Sequence, residues 1–584
     1  MKLVAAAAIC ASLVSLAQAA SFDTLTFHRD RERSGWNSTE VALTPAAIAS
    51  GGLRVAWESP QFDTVDGFPP RLYASPLYVE DVQVASATHR GVFRVVLAAS
   101  SNGFVYAVNA FQSGSTAAGT ILWRTQLGMP CKLEPVLLDG IATGVLATPI
   151  IDRQRNRLYV TSCEPTKRWQ AFALDLADGK VVSGWPVVLD EATLTAPGMN
   201  RNAGSEGDAQ ARPSNYRLQR GALNLSPDGS RLYVTFGESV TGWLVAINTR
   251  APKVASAFAS VATPHRHTGG IWGPGGATVD ADGMVFVVTG SNFSGLAEQA
   301  GDWSQSVLAI ENGASGLTLR GTYTPFNYCA TAAMDIDIGS GGIALLPPRL
   351  AVVGGKQGNV YLLDRRRLPG RLDKRPACGT DSASDLSLLP PDAQPQFGKR
   401  GPLNVFGPYS DTYGAMDLAR GRSVPAIFRA SDGTLHVFVT GNTKKDEAST
   451  TNVPPSVARL KVMTASDRPA WLAVAQLERT LTFENPGSPV VTSNGSRDAV
   501  VWVLDTNARR SALLVGDGAP RPILYALDAM TLRRLWSSDV GQLQTSGKYN
   551  EPTIARGTVF VGTDRIQAFT LNASGTGGKR SPSP

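Results

Sequence analysis

The chain has 584 residues, 43% of them hydrophobic and 18% charged, with a formal net charge of +7. Its basic residues are scattered and its aromatics sit inside apolar runs, which excludes a concentrated nucleic-acid surface; clusters such as Arg365-Arg366-Arg367 read as solvated loop charge. Beyond the first twenty residues no apolar run reaches the length of a membrane span.

Residues 1–20 read as a secretory leader. Lys2 gives a positive start, Leu3 to Leu16 is apolar and Ala-rich, and Ala17-Gln18-Ala19 is a small-residue cleavage pattern. Cys10 lies inside it, and the mature protein is expected to be exported, secreted or periplasmic. From there on the chain repeats one unit about eight times. Each copy has an apolar opening strand, a second strand of Val, Leu, Tyr or Phe, and a third ending near Ala-Leu-Asp. The opening strands are ASPLYV (from Ala74), ATPIID (from Ala147), ALNLSPD (from Ala222), GGATVDAD (from Gly275), GGIALL (from Gly341), VPAIFR (from Val424), GSPVVT (from Gly487) and EPTIAR (from Glu551). Such β-branched and aromatic runs, bounded by Gly, Asp and Asn, are strand-and-turn grammar. No stretch of helical periodicity interrupts them. A unit this short cannot bury its own apolar face, so copies must stack on copies. The expected fold is all-β: an eight-bladed propeller with four strands per blade. Seven blades is the alternative, because the copies at Val424 and Ser456 are the weakest. One propeller is expected over 21–571, followed by a disordered polar tail over 572–584. The long insert between Leu368 and Val424 reads as a lid or a partner-binding loop.

Four cysteines remain after the leader: Cys131, Cys163, Cys329 and Cys378. An even count in an exported chain favours disulfides, and neighbourhood along the sequence suggests Cys131–Cys163 and Cys329–Cys378, although connectivity stays open. No Cys-x-x-Cys-His occurs, so no attached haem is expected. His265 and His267 flank Arg266; a His-x-His pair can ligate a metal, but a polar loop is the plainer reading. Arg212, Arg220 and Glu238 are candidates for the mouth of the central funnel.

Several segments in order carry a resemblance. RDRERSGWNSTEVALTPAAI (from Arg29), GVLATPIIDRQRNRLYVTSC, GGIWGPGGATVDADGMVFVVTGSNF, MDIDIGSGGIALLP and VVGGKQGNVYLLDR together resemble the PQQ (pyrroloquinoline quinone) propeller superfamily. That group includes quinoprotein alcohol and polyvinyl-alcohol dehydrogenases as well as non-catalytic relatives. A quinone at a propeller axis needs a flat aromatic floor, a cation near its oxygens and a carboxylate base for the alcohol proton; a hard metal would need oxygen ligands.

The resemblance implies these roles residue by residue. Trp272 matches the cofactor floor, and a blade-packing tryptophan is the competing reading. Lys356, in GGKQGNVYLLD, matches the cation that contacts the quinone oxygens, where an ordinary loop lysine would face solvent. Asp335 and Asp337, in AMDIDIGSGG, resemble the acidic motif that carries the base. One residue apart on a strand, they would share a face, and otherwise they brace the turn before Gly339. Glu164 falls where such enzymes place a calcium ligand, with pairing to Lys167 or Arg168 as the alternative. Ser291 takes the position of a second calcium ligand, with Asn292 displaced by one residue, and Glu164 with Asn292 are the expected metal ligands. PQQ and calcium are therefore the expected cofactors. The adjacent Cys-Cys pair that roofs the cofactor in many alcohol dehydrogenases is missing, so a roof must be built otherwise. A haem domain is also missing, so electrons must leave to an external acceptor.

Two functions follow from these residues. One is an exported oxidoreductase that oxidises the alcohol group of a small molecule or polymer by hydride transfer to PQQ. The other is a non-catalytic propeller that binds a protein or polymer. An axis lined by carboxylates, Lys and a flat Trp separates the first from the second, whose axis would be apolar.

Overall fold

The computed structural model of the chain describes residues 21–131, 141–166, 168–202, 218–237, 241–261, 269–291, 300–325, 327–333, 335–378, 402–404, 421–442, 456–508, 511–516 and 518–572. The leader, the tail beyond 572, Arg212, Glu238, His265, His267, Asn292 and most of the insert after Leu368 lie outside them. The strands form eight sheets, seven of four strands and one of five. They follow one another along the chain as eight blades, so the alternative of seven falls away. The copy at Val424 is a full blade: Ala426–Arg429, Leu435–Thr440, Val457–Ala465 and Arg468–Glu478 pair in that order.

The packing explains why nearly every strand residue is apolar. Successive side chains point to opposite faces, and each face meets a neighbouring blade. In blade 7, Val501 and Val503 pack with Phe428 and Phe438 of blade 6. Their neighbours Val500, Trp502 and Leu504 pack with Ile554, Val559 and Phe569 of blade 8. The same division recurs around the ring, ending with Phe560 and Ile566 of blade 8 against Tyr78 and Val96 of blade 1. Sheets buried on both faces need continuous apolar strands rather than alternating ones.

The ring is closed from both ends of the chain. Blade 8 has only three strands of its own, Thr553–Ala555, Thr558–Gly562 and Ile566–Leu571; the N-terminal strand Leu53–Glu58 pairs antiparallel with the last of these as its outer edge. Just upstream, residues 24–37 run past the innermost strand of every blade. Thr24 N donates to Tyr78 O at 2.8 Å, Ile151 N to Leu25 O at 2.8 Å, Val279 N to Arg31 O, Leu345 N to Glu32 O and Ile427 N to Ser34 O at 2.9 Å each, and Val491 N to Gly35 O at 2.8 Å. Thr26 Oγ1 donates to Leu223 O and Asn37 Nδ2 to Ile554 O, each at 2.9 Å. This circuit seals one end of the axis.

The seal is polar and fully satisfied at its centre. Arg33 is completely buried and donates to Gly275 O, Thr26 Oγ1, Phe27 O, Ala222 O, Leu223 O and Ala277 O at 2.8–3.3 Å. Burial pushes its guanidinium down to about 10, still charged at neutral pH. His28 Nδ1 lies 2.8 Å from Glu551 Oε2 in a buried pair. Gly35 has φ 62°, and a Cβ there would sit 2.3 Å from the His28 ring, so glycine is required by both conformation and space.

Arg365 departs from the sequence expectation. It ion-pairs with Asp280 of the preceding blade and both side chains are buried, whereas Arg366 and Arg367 are exposed. Repeat stacking brings a turn of blade 5 against blade 4, and that neighbour is invisible to local reading.

Buried His436 stacks on Phe428, with its ring centroid 6.2 Å away. Burial, with Arg459 and Lys461 nearby, pushes its imidazole down to about 4. The folded state therefore holds it neutral while the unfolded chain takes up a proton near its ordinary value. Stability is expected to fall by roughly 1–3 kcal/mol as pH drops from about 6.5 towards 4. Urea titrations of wild type and His436→Leu over this range measure the difference; the variant should lose that part of the slope.

Candidate active site

In an up-and-down blade, the segment before the first strand and the turn between the second and third strands lie at the same end. Trp272 precedes the blade 4 strand Thr278–Val279, Ser291 follows Val285–Val288, Asp335 and Asp337 precede the blade 5 strand Ile343–Leu346, and Lys356 lies between Leu350–Gly354 and Asn359–Asp364. All of them therefore gather at one end of the axis, the mouth.

Lys356 is the centre of this group. Its Nζ lies 2.7 Å from Asp337 Oδ2 and 3.1 Å from Asp335 Oδ1, and donates to Asp335 O at 2.9 Å. It also lies 5.1 Å from the centroid of the Trp272 ring. Three acceptors match the three protons of an ammonium. The close approach of Lys356 N to Asp337 O, 2.9 Å, is permitted by the preceding residue, because a Cβ on Gly355 would meet Ile338 Cα at 2.8 Å.

Asp337 is buried, with both oxygens engaged. Oδ1 accepts from Ser291 N at 2.6 Å and from Ser291 Oγ at 2.5 Å. Gln305 Nε2 donates to that hydroxyl at 3.2 Å, while Gln305 Oε1 accepts from Ile338 N at 2.8 Å. The hydroxyl direction is thereby fixed, from Gln305 through Ser291 to Asp337. Burial pushes the Asp337 carboxyl up, but the Lys356 charge and the donors from Lys356 and Ser291 outweigh it and hold the group below the ordinary aspartate value. Asp335 differs: its side chain is 40% exposed. Neither aspartate is on a strand, contrary to the expectation from spacing. Asp335 follows the short helix Tyr328–Ala333 with φ 56°, and Asp337 caps the 3₁₀ turn Ile338–Ser340 without a side-chain cap bond. They converge because both fold around one ammonium.

Two disulfides form, Cys131–Cys163 and Cys329–Cys378. The second fastens the helix that leads into Asp335. Beside it, Arg375 pairs with Asp302 at 2.8 Å and lies 4.4 Å from the Tyr328 ring centroid. The mouth also holds Arg220, whose Cζ is 5.2 Å from the Trp272 ring centroid and 4.6 Å from that of Tyr549, and whose Nε donates to Trp272 O at 3.4 Å. Lys548 Nζ is 5.8 Å from the Tyr549 centroid. From blade 7, Ala508 and Leu514 join the apolar cluster of blades 2 and 3 on the far side of the ring, and Arg71 Nε donates to Leu514 O at 2.8 Å. These contacts tie this part of blade 7 to blades 2 and 3.

Glu164 makes its contacts within its own loop. Oε1 accepts from Arg168 Nε at 2.5 Å and from Thr166 Oγ1 at 2.8 Å, and Oε2 accepts from Gln170 Nε2 at 3.3 Å. The structure thus brings together Trp272, Asp335, Asp337 and Lys356, and gives Glu164 other partners; Asn292 is outside the described residues. Among the described residues no group of three or more His, Cys, Asp and Glu is placed to hold a metal. The arrangement offers a flat indole face, a fixed cation and one accessible carboxylate: a site for a planar, electron-poor ligand beside a proton acceptor. Gln305, Tyr549 and Lys548 carry no recognisable motif of their own. Tyr549 and Lys548 do precede the eighth opening strand as Trp272 precedes the fourth, and that shared place in the repeat marks them.

The fold is an eight-bladed β-propeller with a charged cluster at one end of its axis. No protein-family model matches the chain, and no curated protein matches it significantly in sequence. Solved structures do match. The quinohemoprotein alcohol dehydrogenase ADHIIG from Pseudomonas putida HK5 is 13% identical, with 96% of this chain and 82% of that chain covered at a TM-score of 0.52. A europium-containing methanol dehydrogenase is 14% identical, with 93% and 90% covered at 0.53. The quinohemoprotein alcohol dehydrogenase from Comamonas testosteroni is 14% identical, with 97% and 82% covered at 0.51. At these identities the likeness is one of fold.

Proposed function

We propose that this chain is an exported quinoprotein-type oxidoreductase that takes PQQ at the open mouth of its axis and oxidises an alcohol group. The observation that carries this reading is the Lys356 ammonium held on Asp335 and Asp337 against the face of Trp272. The described residues that would hold the planar tricarboxylate are the buried Trp272 indole, over which Arg220 and Lys356 already lie, and Lys548, which adds positive charge beside Tyr549. When bound, PQQ supplies a two-electron acceptor for the hydride of an alcohol carbon. The protein's own part is binding, orientation and proton handling. Asp337 anchors the lysine, since every oxygen lone-pair direction that matters is already met by a donor. Asp335 takes the hydroxyl proton. Of the three Lys356 contacts, that to Asp335 Oδ1 is the longest and the most exposed. Lys356 would hold a carbonyl oxygen of the bound group in place of that contact, and Asp335, the more exposed carboxylate, would act as the base.

A polar, charged mouth favours the enzyme over a scaffold whose axis is apolar. Export is supported by the leader pattern and by the two disulfides, and among the described residues no helix is long and apolar enough to cross a membrane. The mature form we propose is one propeller over 21–571, with leader 1–20 removed and 572–584 as a tail, delivering electrons to an external acceptor. Adding PQQ to the purified protein should raise its melting temperature and support dye reduction with a panel of small alcohols and polyvinyl alcohol. Absence of both effects would reject the enzyme and leave the binding propeller.

A further inference from the structure

We propose that the cation of this axial site is the Lys356 ammonium itself and that the acidic pair excludes a divalent metal. The inference concerns the cluster alone and stands whether or not the quinone reading holds. Calcium takes six to eight oxygen ligands, mostly anionic or carbonyl, at about 2.3–2.6 Å. Here both Asp337 oxygens are already held by donors: Oδ2 by Lys356 Nζ at 2.7 Å, Oδ1 by a backbone N–H at 2.6 Å and a hydroxyl at 2.5 Å. A backbone N–H cannot turn away, and its hydrogen points at the oxygen a metal would have to share. The hydroxyl is committed as well: it donates to Asp337 Oδ1 and accepts from Gln305 Nε2 at 3.2 Å. The same ammonium lies 3.1 Å from Asp335 Oδ1, so a divalent ion bridging the two aspartates would sit within a few ångströms of a fixed positive charge.

Ser291 is the second line of support. Its backbone N–H and its hydroxyl both donate to Asp337 Oδ1, so at this position the chain supplies donors to the carboxylate where a metal would need oxygen ligands. Glu164, another candidate ligand, pairs with Arg168 at 2.5 Å, and Asn292 lies outside the described residues. Among the described residues, one lysine thus takes the structural and electrostatic place of a metal ion.

The test uses the full protein in metal-free buffer. Calcium up to millimolar and EDTA should each leave the wild-type melting temperature within about 1 °C, and terbium should give no tryptophan-sensitised luminescence that Asp337→Asn abolishes. In Lys356→Met the two carboxylates lose their cation, and calcium should then raise the melting temperature by more than about 2 °C. If that variant fails to fold, Ser291→Ala and the wild-type titrations decide. A wild-type calcium shift or terbium signal lost in Asp337→Asn would overturn the proposal; a signal retained in that variant comes from elsewhere and upholds it. PQQ binding that requires calcium would also overturn it while leaving the quinone reading intact. No PQQ binding in either buffer would sink the quinone reading alone.

Discussion

Arg33→Leu should lower the unfolding free energy by about 3–5 kcal/mol, measured by urea denaturation. The leucine fits the space but removes six donated hydrogen bonds and leaves the carbonyls of Gly275, Phe27, Ala222, Leu223 and Ala277 without this donor in a place water does not reach. Those carbonyls belong to blades 3 and 4 and to the sealing segment, so the loss loosens the seal against the ring rather than one strand. Arg33→Lys keeps the charge but only one of the three nitrogens, and should fall between the two. A loss below about 1 kcal/mol would mean that the guanidinium is a passenger.

The second large effect is at the mouth. Lys356→Met should lower turnover with PQQ and alcohol by about 10²–10³ if the ammonium stabilises charge on the quinone oxygens. It should also destabilise the fold, because Asp337 remains buried without its cation; Asp337→Asn should do so for the converse reason, each by about 3–5 kcal/mol. The double variant removes both charges and should be less destabilised than the sum of the singles, with a coupling of about 2–3 kcal/mol. A coupling near zero would show that the 2.7 Å pair carries no energy. The pH dependence has a definite sign. Asp337 lies below its ordinary value in the fold, so its contribution is complete above the unfolded value near 3.8 and is lost as pH falls through the folded one. Asp337→Asn should flatten that acid limb.

The repeat was legible because each inner strand has to fill two interfaces, and residues such as Val500-Val501-Trp502-Val503 cannot be anything but a strand buried on both sides. The fourth strands were not. Val187–Leu189 and Pro402–Asn404 are three-residue edges, too short to show a period. The outer edge of blade 8 is supplied by residues some five hundred positions upstream, a pairing that no local rule contains. At the mouth, Trp272, Lys356 and the two aspartates could be picked out as motifs, yet their spacing implied a strand. The helix at Tyr328–Ala333, tied down by Cys329, bends the chain into a turn that period-two reasoning does not anticipate. The role of Ser291 was hidden for another reason: a serine is a donor or an acceptor according to what stands behind it, and Gln305 is known only from the fold.

The segment that touches every blade also constrains the order of assembly. Emerging first during synthesis, it has no complete seat until the last inner strand, Thr553–Ala555, exists, and the strand Leu53–Glu58 waits for the same moment. A nascent or C-terminally shortened chain therefore exposes an unsatisfied arginine and an unpaired edge near its start, which makes completion of the circle a single late event and incomplete products natural targets for proteolysis.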